Sequence, residues 1–353
     1  MSDDLTVSQS KARVWRTCKF QYHLKHFLKL RRIRVKRPLQ FGRIMHDLIE
    51  VGLEGGDPFA KLEEIEQEGG KLFQEEIDEY GNIIDDIALI FEEYQSFWPK
   101  NEWKIIPVGD KNSEHWFEIE IFDGMVFNGR LDFMCSTNKL NWLGENKTRG
   151  QLPSDDHRWK DLQSAVYFRA VDMMGWLGRK HFDGVCWNYI SSKAPTIPKI
   201  NKDGTMSKAK AVTFPSVVED IARENKIPLE DVAPQMEMAE LSREAWFDRI
   251  YTPINETVVE FTWNGFVDTA HEIADNHGKL SGMNVGRHCD WCDYEPICRA
   301  KMLGNDADFV IEHEFEVKKD DTPEETTNKK TTNNKAKKPS KQRTKRPANK
   351  KRS

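Results

Sequence analysis

No stretch of this chain approaches the roughly 18 consecutive apolar residues that a membrane-spanning helix needs, so a membrane role is not expected. The first residues, MSDDLTVSQSKARVW, start acidic and contain no apolar core of a secretory leader, which predicts a cytoplasmic protein. Cysteine is sparse, six in 353 residues, and in a chain with that address thiols bind metal or stay free rather than build a disulfide framework. No internal repeat is visible, and no G-x-x-x-x-G-K-[ST] loop occurs, which removes a P-loop motor. Acidic side chains are missing altogether from Leu5 to His46, a segment with 12 lysines and arginines.

What is present excludes wholesale disorder: 38% hydrophobic residues, with 19 Phe and 11 Trp, can fill a large core. The net charge of −5 conceals a strong asymmetry. Residues 47–317 hold 52 acids against 27 bases, while 318–353 hold 14 bases against 4 acids. An acidic body with two localised basic segments fits a protein that grips a polyanion at chosen places. In the N-terminal segment the bases are interleaved with Trp15, Phe20, Tyr22 and Phe27, so Arg13, Arg16 and Lys19 are candidate DNA contacts.

Periodicity predicts helices over 8–30, ended by RRIRVKRP at Pro38, then over 41–53, 58–79 and 82–98. Short alternating runs between Trp103 and Lys147 predict a strand-rich core, followed by a helix over 155–175 and a buried strand over 184–191. The breaker-rich segment 193–212 reads as a mobile loop, 215–225 and 240–250 as helical pieces, 258–263 as a strand and 265–280 as a helix. From about Lys318 the chain lacks apolar periodicity and reads as a disordered tail.

Two constellations carry chemistry. Glu145 and Lys147 are two apart on a strand and so share one face, which Asp132 of the preceding strand joins if the two pair. Two carboxylates bind a hard divalent cation, and a nearby ammonium offsets phosphate charge; alone, the same residues would equally make a surface ion pair. Gln163 and Tyr167, one helical turn apart, can hold a phosphate or base beside them, and His46, a turn after Gly42, is a further candidate ligand. The second constellation is Cys289-x-x-Cys292-x5-Cys298, one thiolate short of a four-coordinate site, with Cys18 as candidate fourth; zinc and iron–sulfur clusters both accept four cysteines. Cys135 and Cys186 lie in apolar strands and are expected in the core.

In order along the chain, Gly42-x-x-x-His46, Gly129-Arg130-Leu131-Asp132, Glu145-x-Lys147 and Gln163-x-x-x-Tyr167, bracketed by Cys18 and the cysteine triplet, resemble the PD-(D/E)XK nuclease superfamily. The similarity is greatest to the RecB/Cas4-like branch, including phage-type exonucleases, that carries an iron–sulfur cluster. The usual Pro-Asp is here Leu131-Asp132. The resemblance covers roughly residues 8–300 and implies an α/β fold, a mixed sheet flanked by helices; the domain is expected over 1–317, with 318–353 as a tail. It implies a Mg²⁺- or Mn²⁺-dependent deoxyribonuclease whose metal ligands are His46, Asp132 and Glu145. Lys147 would be catalytic, and Gln163 and Tyr167 would form its DNA-contacting helix motif. Cys18, Cys289, Cys292 and Cys298 would hold a [4Fe-4S] cluster that staples the two ends of the domain. The partners implied are DNA and a helicase or recombination protein. The rival readings are a non-catalytic DNA-binding module and a zinc-stapled interaction protein.

Overall fold

The computed structural model describes residues 5–33, 36–69, 83–98, 102–153, 158, 161–178 and 180–318. The tail expected over 318–353 therefore lies outside the described residues beyond Lys318, as do the ends of the helices expected over 58–79 and 155–175. Seven strands form one mixed sheet: β1 (Leu5–Val7), β3 (Lys104–Ile105), β4 (Ser113–Phe122), β5 (Met125–Thr137), β6 (Leu140–Arg149), β7 (Gly184–Ser191) and β8 (Phe247–Pro253). The path runs β1-β5-β6-β7-β8, with β3 and β4 on the other edge of β5. β1 on β5 and β6 on β7 are parallel; the other pairs are antiparallel. A separate two-stranded ribbon joins β2 (Leu30–Arg32) to β9 (Phe315–Val317).

Both faces of the sheet are covered, which is why β7 is buried along its whole length. On one face Leu131, Leu143, Val185 and Trp187 pack with residues of the helices Gln9–Thr17, Leu162–Met174 and Glu256–Asp275. Beyond the other face the helices Arg37–Leu53, Pro58–Gly69 and Ile83–Phe97 bury Phe41, Ile44, Leu48, Ile87 and Phe91 with Ile190 and Trp246. Cys135 and Cys186 are fully buried there with Phe133 and Trp142, as their apolar strands required. The expected α/β architecture is the one observed.

Several local expectations are corrected. The single helix expected over 8–30 breaks at Cys18, whose extended backbone caps Gln9–Thr17 and starts a short turn at Lys19–Tyr22; a π turn and β2 follow. Pro38 begins the next helix rather than ending the first, because a proline in the first turn gives up an amide that has no intrahelical partner. The expected strand 258–263 lies inside the helix Glu256–Asp275, where the Asn255 side chain caps the Val258 amide. Its β-branched run is overruled by burial at Val259, Thr262, Phe266, Ala270 and Ile273, a helical spacing. The piece expected to be helical over 240–250 is split between a helix ending at Ser242 and β8.

The expected mobile loop over 193–212 is pinned. Met206 is buried with Val218, Ala222, Val232 and Ala239, and backbone hydrogen bonds fold the segment on itself.

Gly129 shows how tightly the layers meet. A Cβ there would lie 2.5 Å from the Phe117 ring and 3.1 Å from Tyr167. Gly129→Ala should lower stability by about 1–3 kcal/mol through overpacking, read as a lower urea midpoint with an unchanged slope.

Candidate metal centre and active site

The centre forms where the ladders on both edges of β5 fall open. Ser113 pairs with Phe133 and His115 with Leu131, leaving Glu114 opposite Asp132; the β5–β6 ladder starts only at Phe133–Gly144, leaving Glu145 opposite Asp132 on the other side. Three carboxylates from three neighbouring strands thus form one row. Asp132 fills the gap with its side chain: Oδ2 accepts the Asn146 amide at 2.7 Å. Glu114 turns inward on a left-handed backbone, φ 50°, a strained conformation for a non-glycine residue and one that recurs at functional sites. That turn is clamped by Glu54, which accepts the amides of Asn112 and Ser113 and the Ser113 hydroxyl, each at 2.8 Å.

Glu54 caps the helix that carries His46. The same helix lies close on β6 because position 42 is glycine; a Cβ there would sit 2.7 Å from Thr148 Oγ1. His46 Nδ1 consequently stands 3.7 Å from Asp132 Oδ2. One donor atom each from His46, Glu114 and Asp132 falls within 4.8 Å of the others, close enough to surround one cation. An imidazole with two carboxylates is a donor set that suits Mn²⁺ and Mg²⁺.

Glu145 is buried and faces the amine. Lys147 Nζ donates to its Oε2 at 2.9 Å and stands 4.0 Å from Asp161 Oδ2; Gln163 Nε2 donates to Oε1 at 3.3 Å. Asp161 caps the helix Leu162–Met174, taking the Gln163 amide at 3.0 Å, and so fixes both helix and lysine. Tyr167, one turn on, is buried edge-on against Phe117 at 5.5 Å and hydrogen-bonds the backbone of Arg130, in the stretch of β5 left open between β1 and β6.

Electrostatics follow from this crowding. Burial, then the Asp132 charge, pushes Glu114 up to about 8, against the opposing pull of the Arg130 guanidinium. Burial likewise raises Glu145, more than Lys147 lowers it. Burial acts to lower Lys147, but Glu145, Asp161 and Asp132 outweigh it and hold the ammonium well above the ordinary lysine range. Tyr167 is raised by burial and by the two acids, and stays a neutral phenol.

The structure therefore gathers all six residues expected from sequence: His46, Asp132, Glu145, Lys147, Gln163 and Tyr167. Sequence reasoning missed Glu114, Asp161 and Glu54. Asp161 had a signal, an acid one residue before an apolar helix; Glu114 had none, since only strand register puts it opposite Asp132.

From opposite ends of the described chain, Cys18 and Cys289, Cys292 and Cys298 line one cavity of about 350 Å³. Cys18 Sγ accepts the amides of Gln21 and Asn284 at 3.5 Å, Cys289 Sγ that of Gly286 at 3.5 Å, and Cys292 is hydrogen-bonded by the backbone of Tyr294. Of the proposed DNA contacts, Arg13 is exposed, but Arg16 is bound to Thr269 Oγ1 at 2.7 Å and to the Gly265 carbonyl. Lys19 pairs with Glu272 at 3.2 Å. Those two residues brace the first helix and the turn after it against Glu256–Asp275.

The sequence profile of the PD-(D/E)XK nuclease superfamily matches residues 6–299. The chain belongs to this superfamily. PD-(D/E)XK proteins are typically metal-dependent nucleases, and the carboxylate row stands where strand geometry puts the motif residues. No curated protein matches the chain. A solved structure titled "Crystal structure of SSO0001" aligns with 83% of this chain and 96% of its own, at 12% identity and a TM-score of 0.27, too distant a likeness to inform the site.

A cation at Glu114 must displace its proton. Mn²⁺ affinity should therefore rise from about pH 6 to about pH 8, with proton release on binding. Calorimetry in buffers of different protonation enthalpy reads both effects, and Glu114→Gln should abolish most of the release; a flat pH profile would remove Glu114 from the ligand set.

Proposed function

We propose that this PD-(D/E)XK chain is a DNA exonuclease of the RecB/Cas4-like kind, hydrolysing phosphodiester bonds during recombination, repair or phage DNA processing. The observation that carries the reading is the trio His46, Glu114 and Asp132, whose donor atoms can surround one cation, with Glu145 and its partner Lys147 beside it on the next strand. Three acids in a row, two of them buried, repel one another, so a divalent cation and a phosphate's environment account for them better than structure alone. His46, Asp132 and Glu145 are the proposed ligands, with Glu114 added from the register. When bound, the cation supplies positive charge at the scissile phosphate and makes an attached water more acidic.

The protein's own groups do the rest. Lys147 stays an ammonium and donates to a phosphate oxygen or to the attacking water, held on aim by Glu145 and Asp161. Gln163, already on Glu145, offers its amide to the substrate, while Tyr167, buried on the same helix face, holds the Arg130 backbone beside Asp132. Lys147→Ala and Glu145→Gln should each lower cleavage of linear DNA by at least about 100-fold while leaving binding within a few-fold. A purified Lys147→Ala protein as active as wild type would sink the assignment and favour a non-catalytic DNA-binding module.

The four thiols are proposed to hold a [4Fe-4S] cluster. Amide N–H groups directed at Cys18, Cys289 and Cys292 suit thiolates, and hydrogen bonds to sulfur are a regular feature of such clusters. A single zinc would instead draw its four sulfurs to within about 3.8 Å of one another at the usual Zn–S length. Anaerobically purified protein should be brown and contain about four iron and four sulfide per chain; stoichiometric zinc without iron would replace the cluster by a zinc staple. The nuclease domain is proposed to end near residue 317, and a helicase or recombination protein is a proposed partner.

A further inference from the structure

The body of the chain between residues 47 and 317 is strongly acidic, yet Lys193–Val212 holds five lysines and one aspartate. Lys193, Lys199, Lys202, Lys208 and Lys210 are all exposed, and among the described residues no ion pair involves them. A solvated charge run would sit on a loose loop. This segment instead is built: Thr196 N donates to Val212 O at 2.9 Å, Asn201 N to Thr205 O at 2.8 Å and Ser207 N to Lys199 O at 2.8 Å. Ile200 bridges to Met206, whose side chain is 3% exposed, and Gln235 holds the Met206 carbonyl at 3.3 Å. Trp246 Nε1 fixes the base of the arm through the Lys193 carbonyl at 2.7 Å. Much of the ordering entropy of a binding surface is thus met on folding.

Its position matters as much as its charge. β6 and β7 run parallel, with Lys147 beside Tyr189 and Arg149 beside Ser191; Ser192 N then donates to Arg149 O at 2.8 Å. The arm therefore leaves the sheet just beyond Arg149, two residues past the proposed catalytic lysine. Arg149, over the Tyr189 ring at 5.9 Å, and Arg158, hydrogen-bonded to Tyr189, continue the basic surface between them.

Resting on the nuclease reading, we propose that Lys193–Val212 is a backbone guide: it grips the phosphates of the DNA strand beyond the bond being cut. The grip is electrostatic and indifferent to base sequence, and it supplies the contact that the acidic body lacks.

The test joins Lys199→Ala, Lys202→Ala, Lys208→Ala and Lys210→Ala in the full chain. Binding of a fluorescent single-stranded oligonucleotide is followed against salt in a Glu145→Gln background, so that cleavage does not interfere. The plot of log affinity against log salt should flatten by about 3, from four lost phosphate contacts, with affinity about 10–100-fold weaker near 0.1 M salt. With Glu145 intact, hydrolysis of a small chromogenic phosphodiester too short to reach the arm should be unchanged. The quadruple Lys→Arg variant should restore the slope, and its thermal midpoint controls for folding. An unchanged slope in a folded alanine variant overturns the guide. A flattened slope with a wild type that cuts neither substrate keeps the guide and sinks the nuclease reading instead.

Discussion

Three carboxylates held in line across three strands are the constraint on which the rest of this structure turns. Like charges directly opposite on a sheet destabilise it, and burial makes each ionised acid more expensive. The fold meets that tension locally by breaking the ladder on both sides of Asp132 and letting the Asn146 amide take its carboxylate. Lys147 and Arg130 bring positive charge to either end of the row. Protons stay on Glu114 up to mildly basic pH. A divalent cation relieves the same repulsion more completely, so the row is poised for one.

A second layer keeps the row in register from behind. Asn146, on the opposite face from Glu145 and Lys147, accepts from Asn188 at 2.8 Å, and Asn188 is completely buried. Arg249 of β8 reaches Asn188 at 3.3 Å and Tyr94 at 3.2 Å, with its guanidinium stacked on Trp103 at 3.6 Å and Trp98 at 4.1 Å. Glu102 neutralises it and also accepts the Tyr251 hydroxyl. A planar cation between two indoles can satisfy several donors without losing its charge, which suits a network that must be fully paired to be worth burying. Strand β6 is thereby tied on one face to the chemistry and on the other to a rigid polar plug.

What was legible in the sequence follows the range of the interactions. The period of two on β6 put Glu145 and Lys147 together, and the period of 3.6 put Gln163 with Tyr167, because both are local facts of backbone geometry. The small residues preceding His46 and Asp132 were visible as letters, but their reason is tertiary: Gly42 lets a helix approach Thr148, and Gly129 makes room for Phe117 and Tyr167. Glu114 was hidden, since nothing short of the β4–β5 register opposes it to Asp132. The β-branched run at 258–263 misled because local preference for strand is weaker than the burial a long amphipathic helix gains. The break at Cys18 was equally invisible: its sulfur accepts from Asn284, more than 260 residues away, as well as from Gln21.

That last separation has a consequence for how the chain is made. Cys18 touches Asn284, β2 pairs with β9, and Tyr294 donates to the Leu30 carbonyl at 2.6 Å, so the basic N-terminal segment finds its companions only when nearly all of the described chain exists. At ribosomal speeds of about 5–20 residues per second, it waits on the order of tens of seconds with its thiol and cations such as Lys19, Arg31 and Arg32 without their partners. A nascent protein in that condition would be held by whatever polyanion or chaperone lies nearest, and its last act of folding would be to reclaim its own beginning.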